Sequence, residues 1–415
     1  MKTRIIRILS VALVAVMLLT TAQLIGLDGL FASKAKAAYS VGNHIQYGNY
    51  PQRKVTDNAT LSLLESKAKN WTSYRYYSGT GTWYDGKMEP SDYMFYADID
   101  IDGDGLRDYR AVKFDKYRPA CTGYTSSSST NEQSSNGYIV GNVYYFKYEP
   151  ISWRILDPTD GLIMTEKIMD SQAYNNFVLS SGTVPEDGYT AYWGNADKTY
   201  YANDYYNSSI RQWLNKDFYN TAFTPSQASN IRNDATLKND CYSSLYSQYN
   251  SKASRDKIFL LSYNEAKTSA YGFSSSESAY DAARKASGTD YAKSQGLRVY
   301  YSHYSYWTLR SPYYSSSSIC CVYNEGYTSG GSSVYLTGLG IRPACRLSTL
   351  KSDVSKSKIN GNADSEPSPD GSTPSSTCTH ICHKSGFSGF IYKIARFFWK
   401  LFRIHQTCNC GAKHY

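Results

Sequence analysis

From residue 41 to residue 350 the apolar residues come in short runs, each cut off by Gly, Pro, Asp, Asn or Ser. YMFYADIDI and YRAVKF flank the turn-rich DGDGLRD, which is the pattern of a β-hairpin. VYYFKY, ISWRILD and GLIMTEKIM are further strand-like runs, and YYSHYSYWTLRS, SSICCVYNEG and SSVYLTGLGIRPACRL close the segment in the same way. SSIRQWLNKDFYNTAF differs. Its Ile210, Trp213, Leu214, Phe218 and Phe223 recur at helical spacing, with Ser208 or Ser209 placed to cap the start. SYNEAKTSAY predicts a second, short helix. Strand-like runs with two helices predict an α+β domain.

Both flanks of this segment are simpler. Lys2, Arg4 and Arg7 precede a long apolar run, and an A-x-A site stands at Ala35-Lys36-Ala37. This is the layout of a signal peptide over residues 1–37, and it predicts a secreted or surface-associated protein. The alternative is an uncleaved membrane anchor, because the run approaches spanning length. Residues 351–377 lack aromatic side chains and are rich in Ser, Pro and Asp. They read as a disordered linker between a domain at 38–350 and a tail at 378–415. Of the formal charge of +9, the tail holds six basic residues and no acidic one, which leaves residues 38–377 near neutral. Nucleic-acid binding by the domain therefore has no electrostatic support. Its cysteines, Cys121, Cys241, Cys320, Cys321 and Cys345, are odd in number and irregularly spaced, so they do not form an evident disulfide framework.

VGNHIQYGNYPQ, ISWRILD, SSIRQWLNKDFYNTAF, DKIFLLSYNEA, YWTLRSP and GLGIRPACRL, in that order, resemble the secreted bacterial domain-of-unknown-function family 6273 over nearly all of residues 41–350. The closing pair of strands is also similar to formylglycine-generating-enzyme and C-type-lectin-like folds. That likeness implies a twisted, mostly antiparallel sheet with two helices and long loops. The family resemblance implies no particular activity.

Candidate chemistry is sparse. The domain has two histidines, His44 and His303, and none of the familiar nucleophile or phosphate motifs. The likeness to formylglycine-generating enzymes draws attention to Cys320, Cys321 and Cys345. In a strand, Cys320 and Cys321 would point to opposite faces, one buried and one exposed. Asp100, Asp102, Asp104 and Asp108 follow the Asp-x-Asp-x-Asp-Gly pattern of calcium loops. Position twelve of that pattern is Ala111 where an EF-hand has glutamate, and the same stretch serves equally as a hairpin turn. Arg310 and Arg342 read as structural partners before ligand contacts. Trp153, Trp213 and Trp307 read as core.

The 42 tyrosines, set among much serine, favour recognition. Candidate binding residues are Tyr74, Tyr76, Tyr77, Trp83 and Tyr84 in one Tyr-rich stretch and Tyr313 and Tyr314 in another. The resulting expectation is a secreted, surface-associated, non-catalytic binding module for a glycan or a protein. Its rivals are a secreted enzyme with an unrecognised carboxylate or cysteine site, and a structural envelope protein.

The tail holds four of the nine cysteines and four of the six histidines. Cys378, His380, Cys382 and His383 precede SGFSGFIYKIARFFWKLFRIH, and His405, Cys408, Cys410 and His414 follow it or close it. Between the clusters, Phe387 to Phe402 reads as a basic amphipathic helix suited to an envelope or membrane surface. Cysteine and histidine are the ligands zinc prefers, with Cys378, Cys382, Cys408 and Cys410 as first choice and the histidines as alternates. Oxidation to disulfides is the other reading. One zinc per reduced tail peptide, with helicity lost on chelation, is the expected result. A helix indifferent to chelator, with no bound metal, leaves the clusters to disulfides or to a partner.

Overall fold

The computed structural model describes residues 39–76, 89–120, 132–175, 201–300, 303–328 and 330–359, together with the backbone of 406–407 and 413–414. The chain divides into two units, Met1–Gly371 and Ser372–Tyr415. The predicted signal peptide, the linker beyond residue 359 and the tail helix lie outside the described residues.

The long strands of the first unit come early: β1 (His44–Lys54), β2 (Thr72–Tyr76), β3 (Glu89–Ile99), β4 (Tyr109–Phe114), β5 (Val143–Asp157) and β6 (Leu162–Thr165). Shorter ones follow: β7 (Asp170–Ser171), β8 (Ile231–Arg232), β9 (Leu237–Asn239), β10 (Ser251–Ser254) and β11 (Ile258–Phe259). The series ends with β12 (Trp307–Pro312), β13 (Ser318–Val322), β14 (Gly330–Ser333), β15 (Gly340–Ile341) and β16 (Ala344–Leu347). Six short α-helices occur among the described residues: α1 (Asn58–Lys67), α2 (Glu132–Ser135), α3 (Ser209–Trp213), α4 (Tyr219–Ala222), α5 (Pro225–Ser229) and α6 (Asp290–Ser294). In the second unit, β17 (Gln406–Thr407) pairs antiparallel with β18 (Lys413–His414).

Nine strands form the main sheet, in the order β11-β16-β6-β5-β4-β3-β2, with β1 added on β5 and β8 on β16. A five-stranded sheet runs β14-β13-β12-β15-β7, and β12–β15 is the one parallel pair among the named strands. The fold is α+β and mostly antiparallel, as the runs predict. Met94 to Ile99 pair with Phe114 to Tyr109 around DGDGLRD, the expected hairpin. Trp153, Trp213 and Trp307 are all buried. Gly48 lies at a register shift in β1 with φ of 70°, and a Cβ there would stand 2.7 Å from the Ala222 carbonyl oxygen. Only glycine fits both that backbone and that contact.

The two predicted helices differ from expectation. Ser208 does cap α3, its Oγ accepting from the Arg211 N–H at 3.3 Å. The helix then opens into a π turn, Leu214–Phe218, before α4. SYNEAKTSAY forms two 3-10 turns, Glu265–Lys267 and Ser269–Tyr271. There the Glu265 carboxylate accepts from the Ser262 N–H and from Arg310, and Gly272 ends the segment at φ of 80°.

The linker also starts later than its composition predicts. Residues 351–359 form a strap across the domain. Asp353 bridges to Tyr47 beside β1, and the Asn49 amide donates to the Val354 and Ser355 carbonyls. Gln227 donates to the Asp353 and Ser355 carbonyls. Farther on, the Arg107 N–H donates to Ser357 O, and the Ile359 N–H to Gly105 O. Composition missed the strap because backbone hydrogen bonds hold it, not apolar side chains. A chain ending at Leu350 should therefore melt well below one ending at Ile359, by on the order of 10 °C if each lost bond contributes about 1 kcal/mol. Equal melting temperatures in calorimetry would return the segment to the linker.

Candidate functional site

A cleft of about 520 Å³ opens between the sheet and the helical segment around the π turn. β1 supplies Tyr50, β2 supplies Tyr74, β3 supplies Tyr96 and Asp98, and β4 with its preceding loop supplies Arg107 and Arg110. Trp213, Lys216, Asp217 and Asn220 come from the helical wall. Departures from α-helical geometry of this kind recur at functional sites, because the extra residue per turn re-aims its neighbours. Ile359 of the strap completes the rim.

The floor of the cleft is one polar network. Asp98 takes a forked pair from Arg110, Nε to Oδ1 at 2.7 Å and Nη2 to Oδ2 at 2.9 Å. Arg107 Nε adds a bond to Oδ2 at 3.0 Å and the Tyr148 hydroxyl one to Oδ1 at 3.0 Å. Arg110 also lies 4.2 Å from the Tyr96 ring centroid and donates to the Tyr291 hydroxyl at 3.2 Å. The Tyr291 and Tyr74 hydroxyls share a bond at 2.9 Å. At the other end, Tyr50 donates to Asp170 Oδ2 at 2.8 Å, while Asp170 Oδ1 accepts from the Ser171 N–H at 2.7 Å and the Gln172 amide at 3.0 Å.

The two buried carboxyls titrate apart. Burial pushes Asp170 up to about 6, only partly offset by the bonds from Tyr50 and Ser171. Burial acts on Asp98 in the same direction, but Arg110 and Arg107 outweigh it and hold Asp98 below the usual carboxylate range. Tyr50 is raised by its burial and by Asp170.

Of the residues predicted for binding, Tyr74 lines this cleft. Tyr76 lies in β2 with its side chain outside the described residues, as are Tyr77, Trp83 and Tyr84. Tyr313 and Tyr314 sit at the β12–β13 turn, away from the cleft lining. The Tyr313 ring packs on Tyr242 and on Tyr314, with centroids 4.5 and 4.8 Å apart. The tail ligands Cys378, Cys382, Cys408, Cys410, His380, His383 and His405 lie outside the described residues, and His414 is described by its backbone alone.

Asp100, Asp102 and Asp108 do converge, with one carboxylate oxygen of each within 4.8 Å of the others. Asp104 is not in that group; its carboxylate accepts from the Leu106 N–H at 2.8 Å. Asp100 accepts from the Gly103 and Gly105 N–H groups, each at 2.6 Å, as a turn requires. The Lys356 ammonium pairs with Asp108.

Cys320 and Cys321 are both fully buried, which corrects the expectation of one exposed thiol. β13 lies between β12 and β14, and its residues from Ile319 to Val322 are buried on both faces, Ile319 in one core cluster and Cys320 and Val322 in another. Burial raises the Cys321 thiol to about 12 and those of Cys320 and Cys345 as well, so none is a ready nucleophile. Arg310 and Arg342 are structural, bonded to Leu260 O with Glu265 and to Thr165 O respectively. Sequence reasoning missed Asp98 and Arg110, although they face one another across the predicted hairpin, and missed Asp170 and Asp217, which share no local motif with them.

Residues 161–349 match the family model described as Domain of unknown function (DUF6273). The match begins after β5, so β1 to β5, which supply half of the cleft, lie before it. No curated protein and no solved structure matches the chain.

The Asp170 shift has a stability consequence of definite sign. With its folded value above its unfolded one, Asp170 contributes stability that is fully present below about pH 4 and is lost as pH rises through about 6. The full effect is about 3 kcal/mol. Asp98 has the opposite sign: its contribution is lost as pH falls. In urea melts from pH 4 to 7, Asp170→Asn should gain on wild type by roughly that amount as pH rises. A difference independent of pH would mean that Asp170 titrates as an ordinary carboxyl.

Proposed function

We propose that this chain is a secreted, surface-associated binding module of C-type-lectin-like architecture that holds a glycan in the cleft. A tail at 378–415 would dock it to the envelope. The observation that carries this reading is the cleft lining, where the Tyr74, Tyr96 and Trp213 rings stand beside the Asp98–Arg110 pair, Lys216 and Asp217. Sugar rings offer CH faces to aromatic side chains and a dense set of hydroxyls to charged donors and acceptors. A deep cleft with convergent polar groups is the usual form of a small-ligand site. Within the same proposal, Asp100, Asp102 and Asp108 are the ligands of a calcium ion that would displace Lys356, and the tail cysteines are the ligands of zinc. The enzyme reading draws on one observation, the separated titration of Asp170 and Asp98.

A soluble-oligosaccharide array probed with the chain should show saturable binding. Asp217→Asn should weaken that binding about 10-fold or more, the usual effect of losing a charged hydrogen bond. Tyr314→Ala, at the turn, should change it less than twofold. The reverse pattern would move the site to the β12–β13 turn, and turnover without retained binding would favour the enzyme.

A further inference from the structure

We propose that the Tyr50 hydroxyl is a proton-linked switch on the cleft floor, offering the ligand an acceptor when Asp170 is ionised and a donor when Asp170 is protonated. The inference deepens the glycan reading and rests on it for the identity of the ligand.

The geometry leaves the proton one destination. Asp170 Oδ1 already accepts two bonds, from the Ser171 N–H and the Gln172 amide. A proton taken up therefore goes to Oδ2, the atom that faces the Tyr50 hydroxyl at 2.8 Å. One O···O contact holds one hydrogen. With Asp170 ionised, that hydrogen belongs to Tyr50, and the tyrosine oxygen keeps its lone pairs for the cleft. With Asp170 protonated, Oδ2–H donates to the tyrosine oxygen, and the phenolic hydrogen turns about the C–O bond into the cleft. One proton comes from solvent and no heavy atom has to move. Asp170 is the single hydrogen-bond partner of the Tyr50 hydroxyl among the described residues, and both residues line the cleft.

The surroundings fit a group that titrates near neutrality. Arg118 approaches from the segment after β4, donating to Ser171 O at 2.6 Å and to the Gln172 side chain at 3.2 Å, and its charge favours the ionised carboxyl. Arg110, neutralised by Asp98, and Tyr291 of α6 flank Tyr50. The Asp290 carboxylate of α6 is turned away, toward the Lys54 N–H and Lys293. Burial of Asp170 outweighs Arg118 and places the midpoint at about 6.

The test is a carbon-13 NMR titration of the full chain labelled at aspartate Cγ and tyrosine Cζ, with Asp170→Asn and Tyr50→Phe as assignment variants. One carboxyl resonance, missing in Asp170→Asn, should titrate with a midpoint of about 6. The tyrosine resonance missing in Tyr50→Phe should move with the same midpoint in wild type and stay still in Asp170→Asn. If Asp170→Asn does not fold, Tyr50→Phe alone decides, because loss of the donor to the ionised carboxyl should raise the Asp170 midpoint. An Asp170 resonance flat between pH 5 and 7, a Tyr50 resonance that ignores it, or an unchanged midpoint in Tyr50→Phe each overturns the switch. With N-acetylchitotetraose as probe, the ratio of affinities at pH 5 and 7.5 should be about threefold or more in wild type and near one in Tyr50→Phe. Binding with no pH dependence overturns the ligand-facing role. Absence of binding at both pH values counts against the glycan reading, and the NMR midpoints then judge the switch separately.

Discussion

Buried arginine holds together the parts of this domain that have no ladder to hold them. Between Phe259 and Trp307 the described chain has only 3-10 turns, α6 and one isolated bridge at Gly288, so most of its carbonyls need donors from elsewhere. Arg284, fully buried, donates to the carbonyls of Ala266, Ser274, Ser276, Ala279 and Gly326, with Asp281 3.4 Å away. No other side chain presents as many donors from one planar fork. Arg310 does the same for Lys238 and Leu260 and pairs with Glu265, while Arg211 pairs with Asp256 at 2.7 Å. Each such ion is costly to bury. Removing one partner and leaving the other costs about 3–5 kcal/mol. Arg342 lacks a carboxylate at bonding distance among the described residues; it stacks 4.8 Å from the Trp307 ring and falls to about 10 through burial.

The cleft obeys the same rule with a different outcome. Asp98 and Arg110 satisfy one another, Tyr148 and Arg107 fill most of what remains, and the network continues through Tyr291 to Tyr74. Arg107 also ties this network to the strap, donating to the Ser357 hydroxyl at 2.6 Å, and Ser357 in turn donates to Thr221 O. The strap therefore joins three things that are distant in sequence: the edge of β1, the aspartate turn and the helical wall of the cleft. A segment that composition marks as linker is a structural part of the candidate site.

The tyrosine excess resolves into two uses. Tyr300, Tyr306, Tyr323, Tyr327 and Tyr280 form a chain of rings with centroids 4.3 to 6.0 Å apart, and two of its pairs are stacked at 14°. Rings that stack on one another have their faces occupied, so this rib is packing and not a sugar platform. Three of the cleft tyrosines, Tyr50, Tyr74 and Tyr291, are buried as well, but their hydroxyls form the network of its floor. Counting tyrosines cannot separate these uses, because the difference lies in which atoms remain unpacked.

Local pattern was enough to determine the α+β class, the β3–β4 hairpin, a serine cap at Ser208 or Ser209 and the burial of three tryptophans. Each of these depends on residues close together in the chain, where alternation, helical spacing and turn chemistry act. The order of strands in the nine-stranded sheet, the π turn, the burial of both Cys320 and Cys321 and the docking of residues 351–359 were decided only in three dimensions. So was the cleft, whose Asp98, Asp170 and Asp217 sit on β3, β7 and the π turn with no shared motif. The separation follows from range. A propensity or a cap is an energy between near neighbours, readable from adjacent letters. A buried charge network is an energy between distant residues, fixed only when the sheets have brought them together.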